Sequence, residues 1–175
     1  MLLASGAPVI DGAVVHGNQA GEDGGGLYLE QSQPSLSHLS LLDNDAVADG
    51  GGMAVRQGQV TATHLIVAGN VAGDDGGGLD ASGSTLILTH SALVTNGCND
   101  AGGGLYMWES LATLEHVALV ENLAATHGGG LVCDGCAPTV RHCNAWGNLP
   151  TAYESEAGDP TGTDGNIAES PEYLY

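Results

Sequence analysis

The chain has 175 residues, a length typical of one domain, and 42% of them are hydrophobic, which is enough to form a core. Two basic residues stand against 21 acidic ones, so the formal net charge is -19 at pH 7. A field of that sign repels nucleic-acid phosphates and anionic lipid surfaces, and no stretch approaches the ~20 apolar residues of a membrane span, so nucleic-acid binding and membrane insertion are not expected.

A glycine triplet followed by an apolar residue is the feature that repeats along the chain. It returns every 26 residues without an insertion, beginning at Gly24, Gly50, Gly76, Gly102 and Gly128. A period of this length, with no helical apolar stripe inside it, is typical of a solenoid. With 29 glycines among 175 residues, a helical domain is also disfavoured.

Each repeat predicts short strands joined by turns. Apolar residues alternate after the glycines, as in Leu27-x-Leu29, which predicts a strand with one buried face. The residues between them are expected to face outward: Tyr28, Ala54, Asp80, Tyr106 and Val132. A second inward column is Ile10, Leu36, Ala62, Leu88, Leu114 and Val140.

An asparagine precedes each glycine triplet by six residues, and one more keeps the register after the last triplet. Stacked coil on coil, these residues predict an asparagine ladder in a turn. Its members are Asn18, Asn44, Asn70, Asn96, Asn122 and Asn148.

Together these patterns predict an all-β, single-domain, right-handed parallel β-helix of about five full coils. The coils occupy residues 1–148. Residues 149–175 are predicted to form an irregular loop and a partial cap, since the last coil would otherwise expose an unpaired edge.

The pairing of an apolar-x-x-Asn box with a Gly-Gly-apolar box resembles the polymorphic outer-membrane-protein repeat. It is carried, for example, by Leu41-Leu42-Asp43-Asn44 with Gly51-Gly52-Met53. The repeat also resembles the wider pectin-lyase-like superfamily. That resemblance implies a secreted or cell-surface protein, such as an adhesin, a stalk or a polysaccharide-active enzyme.

Carboxylates recur just before the glycines and predict an acidic strip along one edge of the stack. Such a strip is destabilising unless it is solvated or neutralised, and its oxygens suit Ca²⁺. The alternative is a solvated turn without any cofactor. The six residues are Glu22, Asp23, Asp49, Asp74, Asp75 and Asp100.

Histidines recur once per coil and form a further column. A straight row of imidazoles does not converge on one ion, so a structural ladder is favoured over a metal-binding row. The five residues are His38, His64, His90, His116 and His142.

Three of the four cysteines are clustered, which favours a local disulfide in an exported solenoid. The pairings left open are Cys133–Cys136 and Cys136–Cys143. Cys98 takes an inward position and is predicted to be a buried free thiol.

Two outward surfaces could bind a ligand. Tyr106 and Trp108 are neighbours on one face and could stack on a sugar ring, or they could simply cover the adjacent coil. Rows of threonine could order water as in ice-binding solenoids, but Ile87, Glu115 and Arg141 interrupt them.

No enzyme is predicted. Arg56 and Arg141 lie more than three coils apart and cannot meet in one lyase site, and the strict repeat leaves no long loop to wall a cleft. The sequence therefore predicts a non-enzymatic scaffold or adhesion module, with a polysaccharide-binding or polysaccharide-active β-helix as the alternative. The expected partners are another copy stacked end to end, or a surface glycan or protein.

Overall fold

The computed structural model describes residues 1–155 and 158–170, and within them all regular structure is β-strand. The rest of the predicted cap, residues 156, 157 and 171–175, lies outside the described residues. The strands form a parallel β-solenoid of about six turns, which confirms the predicted fold class. No helix in the described part of the chain is long and apolar enough to cross a membrane.

Four parallel sheets run along the solenoid in the described residues. Each of the first five coils contributes one strand to each sheet, and the sixth contributes to sheets 1, 2 and 3. Sheet 1 contains Leu2–Ala4, Leu27–Glu30, Met53–Arg56, Leu79–Ser82, Leu105–Trp108, Leu131–Asp134 and Tyr153–Ser155. Sheet 2 contains Val9–Asp11, Ser35–Ser37, Gln59–Thr63, Thr85–Thr89, Leu111–Glu115 and Thr139–Arg141. Sheet 3 contains Val14–His16, Ser40–Leu42, Ile66–Ala68, Ala92–Val94, Ala118–Val120 and Asn144–Trp146. Sheet 4 contains Gln19–Ala20, Asp45–Ala46, Val71–Ala72, Gly97–Cys98 and Leu123–Ala124.

Each coil bends between sheets at residues in the left-handed backbone region. In one coil these corners are Gln57 (φ 53°), His64 (φ 53°), Gly69 (φ 66°) and Gly76 (φ 63°). The histidine column therefore occupies a corner, where histidine is among the side chains that tolerate positive φ. Sheet 4 was not predicted, because its two-residue strands lie in the segment that the sequence indicated as a turn.

The interior is filled by leucine, valine, methionine and alanine stacked in columns. The inward column of sheet 2 is buried as predicted from Leu36 to Val140, while Ile10 in the first coil is only partly buried. A single coil could not enclose these side chains, so the coils depend on one another for burial.

Asparagine side chains connect successive coils inside the turn. The Asn70 Oδ1 accepts hydrogen bonds from the backbone N of Asn44 at 2.9 Å and from its Nδ2 at 3.0 Å. The Asn70 Nδ2 donates to the Leu41 carbonyl and to the Asn96 Oδ1, each at 2.9 Å. The pattern continues to Asn148, and every member except Asn18 is buried.

The histidine rings stack along their corner on the surface. Ring centroids of consecutive members lie 5.0, 5.6, 4.9 and 5.1 Å apart from His38 to His142. All five side chains are exposed, so the column lies on the outside of the solenoid.

Of the two cysteine pairings left open, the structure contains Cys133–Cys136. Cys143 is instead a buried free thiol whose Sγ accepts a hydrogen bond from the Val117 backbone N at 3.4 Å. Cys98 is also buried and free, and burial raises its thiol pKa to about 11.

The C-terminal end of the stack is covered. Tyr153–Ser155 pairs with Leu131–Asp134, and the Asn166 Oδ1 accepts a hydrogen bond from the Cys143 backbone N at 2.9 Å. At the other end Leu2, Val9 and Val14 are exposed. End-to-end stacking of copies stays a prediction.

Candidate functional site

The outward face of sheet 1 is partly covered by the turn that precedes each strand. Gly24 packs so closely that a Cβ there would lie 3.0 Å from the Tyr28 Cα. This approach brings the acidic turn residues over the outward column of the strands. The prediction that this column faces solvent is therefore wrong for Ala54, Asp80 and Val132, which are buried.

Arg56 holds three carboxylates of this face together. Its Nη2 lies 2.7 Å from an Asp23 oxygen and 3.0 Å from an Asp49 oxygen, and its Nη1 contacts Asp80. No pattern in the sequence indicates this cluster. Asp80 is only 3% exposed, and burial raises its pKa to about 7 although Arg56 acts in the opposite direction.

Aspartates of the same turn also bond to the next coil. The Asp23 Oδ1 accepts from the Asp49 backbone N at 3.3 Å, and the Asp49 Oδ1 accepts from the Asp75 N at 3.2 Å. The Asp75 Oδ1 accepts from the Ala101 N at 2.9 Å. These carboxylates therefore form a second polar ladder.

Asp75 is the half-buried member of this ladder that Arg56 does not contact. Burial raises its pKa to about 6, and the charges of Asp74, Asp49 and Asp100 act in the same direction. A raised pKa means that its contribution to stability is complete below its unfolded value of ~3.9 and is lost as pH rises through the folded value.

The variant Asp75→Asn should therefore be more stable than the wild type at pH 8 and equal to it near pH 4. Asparagine keeps the acceptor for the Ala101 backbone N and removes the charge. Because Asp75 is partly exposed, solvent screening reduces the gain to on the order of 1 kcal/mol. Urea unfolding at both pH values measures the change in stability. Asp45→Asn is the control, because the Asp45 side chain is exposed on sheet 4. An equal gain at pH 4 would contradict the electrostatic cause.

The predicted acidic strip is divided in the structure. Asp23 and Asp49 are bound to Arg56, and Glu22 is exposed in the first of these turns. Asp74, Asp75 and Asp100 form a separate cluster in which one carboxylate oxygen from each residue lies within 4.8 Å of the other two. This cluster is where the predicted Ca²⁺ would bind, since calcium takes carboxylate oxygens.

Calcium is predicted to raise the melting temperature more than sodium at equal ionic strength. An ion that binds only the folded cluster stabilises it by ~2.7 kcal/mol at a hundredfold excess over its dissociation constant. Asp74→Asn combined with Asp100→Asn should abolish the difference, whereas Glu22→Gln should keep it. Differential scanning calorimetry measures the melting temperature of each variant in each salt. Identical melting curves in the two salts would mean that calcium acts only by charge screening and would contradict a calcium site in this cluster.

Three depressions lie side by side along this face. A depression of about 550 Å³ is lined by Asp75, Tyr106, Asp134 and others, and it shares Tyr106 with one of about 350 Å³. The latter shares Arg56, Ser82 and Trp108 with one of about 390 Å³. We name the surface from Glu30 through Trp108 and Tyr106 to Glu154 the acidic groove.

The two predicted sugar-contacting residues both line the acidic groove. Trp108 is 46% exposed, and Tyr106 is half-buried beside it. Burial, with nearby carboxylates, raises the Tyr106 pKa to about 12, so the phenol remains a hydrogen-bond donor at neutral pH. The groove thus combines aromatic surface, donors and an excess of carboxylates.

No protein-family model matches this chain, and no curated protein matches it. Among solved structures it is similar to QnrB1, a plasmid-mediated fluoroquinolone resistance protein, with 13% sequence identity over 94% of this chain and 92% of that chain. The TM-score of 0.24 is too low to inform function. The resemblance to outer-membrane-protein and pectin-lyase-like repeats has no support from these comparisons. The chain is a repeat protein with a parallel β-solenoid fold.

Proposed function

We propose that this protein is a non-enzymatic scaffold or adhesion module, secreted or displayed at a cell surface, that binds a neutral or amino-bearing polysaccharide along the acidic groove. The observation that carries the proposal is the exposed Trp108 beside Tyr106 in three adjoining depressions that share lining residues and together cross several coils.

The chemistry of the groove suits a sugar polymer. Aromatic faces stack on the apolar face of a sugar ring, while Arg56, Gln57 and Ser82 supply polar groups along the same depressions. An elongated groove that crosses coils suits a chain better than a compact ligand. With a net charge of -19, the protein attracts amino sugars and repels uronides.

Three of the groove carboxylates have partners that support a structural rather than a catalytic role. Asp80 and Asp49 are bound by Arg56, and Asp75 accepts a backbone hydrogen bond. A general acid has to be free to reach a leaving-group oxygen. We therefore expect binding without cleavage.

Co-sedimentation with chitin and with chitosan tests the proposal. Trp108→Ala should weaken binding to the preferred polymer at least tenfold, because a central aromatic contact commonly contributes more than 1.4 kcal/mol. Leu111→Ala is the matched control, since Leu111 is an exposed apolar side chain on sheet 2.

Equal binding of the Trp108→Ala variant and the wild type would contradict the proposed site. Release of soluble oligosaccharides from the bound polymer would contradict the non-enzymatic part of the proposal. Binding to polygalacturonate in preference to chitosan would contradict the electrostatic argument.

A further inference from the structure

One end of the histidine column differs from the rest. His116 and His142 are joined there by Glu115, and one ligand atom from each of the three lies within 4.8 Å of the others. We propose that Glu115, His116 and His142 bind one divalent transition-metal ion of the zinc class on the surface of the solenoid.

The column becomes less parallel toward this end. The rings of His38 and His64 differ by 11° and those of His64 and His90 by 15°. The angle is 36° between His90 and His116, and 28° between His116 and His142, whose rings remain stacked with centroids 5.1 Å apart. Binding one ion between His116 and His142 therefore requires rotation of at least one ring, which the exposure of both side chains allows.

The third ligand is also specific to this end. The residue before each corner histidine is Ser37, Thr63 or Thr89 in the earlier coils, and it is Glu115 before His116. At the opposite end the His38 Nδ1 contacts the Asp11 Oδ1 at 3.0 Å, which pairs one imidazole with one carboxylate. Two imidazoles and a carboxylate come together around His116 and His142.

The distances are within reach of coordination. Zinc binds imidazole nitrogen and carboxylate oxygen at ~2.0–2.2 Å, so tetrahedral ligands lie about 3.5 Å apart. All three side chains are exposed, and small rotations about their side-chain torsions can bring them closer together. Their backbones are positioned by the parallel ladder, in which Glu115 pairs with Arg141.

The backbone around His142 is held in place by the chain that follows the last coil. The His142 backbone N donates to the Asp164 carbonyl at 3.0 Å. A Cβ on Gly165 would lie 2.6 Å from the His142 Cδ2, so the absence of a side chain there leaves room for the ring. Arg141 is the residue opposite Glu115 in the parallel ladder, and the overall charge of -19 favours any cation.

The ligand set selects the class of ion. Imidazole nitrogen suits Zn²⁺, Cu²⁺ and Ni²⁺ and is a poor ligand for Ca²⁺ and Mg²⁺, which take oxygen. Three protein ligands would leave a fourth position for water or for a group from a partner. Cys143 follows His142 directly, but its thiol is enclosed in the interior and is not a ligand on this surface.

Isothermal titration of the untagged protein with Zn²⁺, in millimolar calcium to occupy sites made only of carboxylates, tests the proposal. We expect one Zn²⁺ per chain. His116→Asn and His142→Asn should each weaken binding at least thirtyfold, and Glu115→Gln about tenfold. Asparagine is chosen because it tolerates the left-handed backbone of these corners (φ 54° and 51°).

The control is His64→Asn, which removes an imidazole from the same column at the same kind of corner and should leave zinc binding unchanged. Copper loaded at one equivalent should show two coupled nitrogens by electron paramagnetic resonance, and one in His142→Asn. Equal weakening by His64→Asn, a stoichiometry other than one, or unchanged binding in Glu115→Gln would overturn the proposal. Melting curves without metal establish that each variant folds.

Discussion

Replacing Asn96 by alanine is expected to destabilise the protein by on the order of 4 kcal/mol or more. The Asn96 side chain accepts from the Asn70 backbone N and Nδ2 at 3.0 and 2.9 Å. It donates to the Val67 carbonyl at 2.9 Å and to the Asn122 Oδ1 at 3.0 Å. Alanine removes four buried hydrogen bonds at once, and each buried group left without a partner costs ~1–3 kcal/mol.

The matched control is Asn18→Ala at the exposed start of the same ladder, which should cost less than about 1 kcal/mol. Urea unfolding followed by circular dichroism measures both variants. If Asn96→Ala and Asn18→Ala lost equal stability, the ladder would be a consequence of the fold rather than one of the interactions that hold it.

Replacing Gly77 by alanine should have an effect of similar size or prevent folding. A Cβ on Gly77 would lie 2.6 Å from the Gly103 carbonyl oxygen of the next coil and closer still to the Gly97 carbonyl oxygen. Both atoms belong to backbone that is hydrogen-bonded in the stack, so the clash cannot be relieved by rotating a side chain. We expect a loss of at least about 3 kcal/mol.

Gly97→Ala is the control for the effect of glycine itself. A Cβ there meets no atom nearer than the Leu123 carbonyl oxygen at 3.7 Å, and other coils carry a side chain at this position. Alanine should be neutral or stabilise by about 0.5 kcal/mol. Thermal melting of the two variants separates the steric clash of a Cβ at Gly77 from the loss of backbone freedom that both substitutions share. Equal melting temperatures would contradict the close packing of the triplet.

The solenoid could be predicted from the sequence because each coil has the same length. Equal spacing places Asn44, Asn70 and Asn96 in one column whatever the details of the path, and the same holds for His64 and His90. The corners could not be placed in the same way. Histidine marks one corner from His38 onward and the first glycine of each triplet marks another, but the two remaining corners carry serine, glutamine, glutamate, aspartate, threonine or glycine, so no residue type marks those two.

The acidic groove could be predicted only in part. The aspartates were identified because they follow the repeat, and Tyr106 and Trp108 because two aromatic residues are neighbours on one strand face. The Arg56 cluster was missed because Arg56 occurs once, and its partners Asp23, Asp49 and Asp80 lie 33, 7 and 24 residues away. Only the fold of the turn over sheet 1 brings them together, and that fold depends on the close approach of the glycine backbone.

The proposed zinc site could likewise be predicted only in part. The histidine column is visible as a repeat, and a perfect repeat predicts parallel rings. The larger ring angles around His116, and the presence of Glu115, depart from that repeat. A pattern that averages over coils therefore indicates a structural row and does not show the grouping of Glu115, His116 and His142 on which the proposed site rests.

Trp108 fluorescence is the most direct test of the central claim, that the acidic groove is the binding face. The chain has two tryptophans, so the variant Trp146→Phe leaves Trp108 as the only reporter. Titration with glucosamine or N-acetylglucosamine hexamers should shift its emission to the blue in a saturable way, because stacking on a sugar removes water from the exposed indole. Polygalacturonate oligomers should produce no shift. An unchanged emission spectrum with all three oligomers, or an equal shift with the polygalacturonate oligomers, would contradict the claim that the acidic groove binds these sugars.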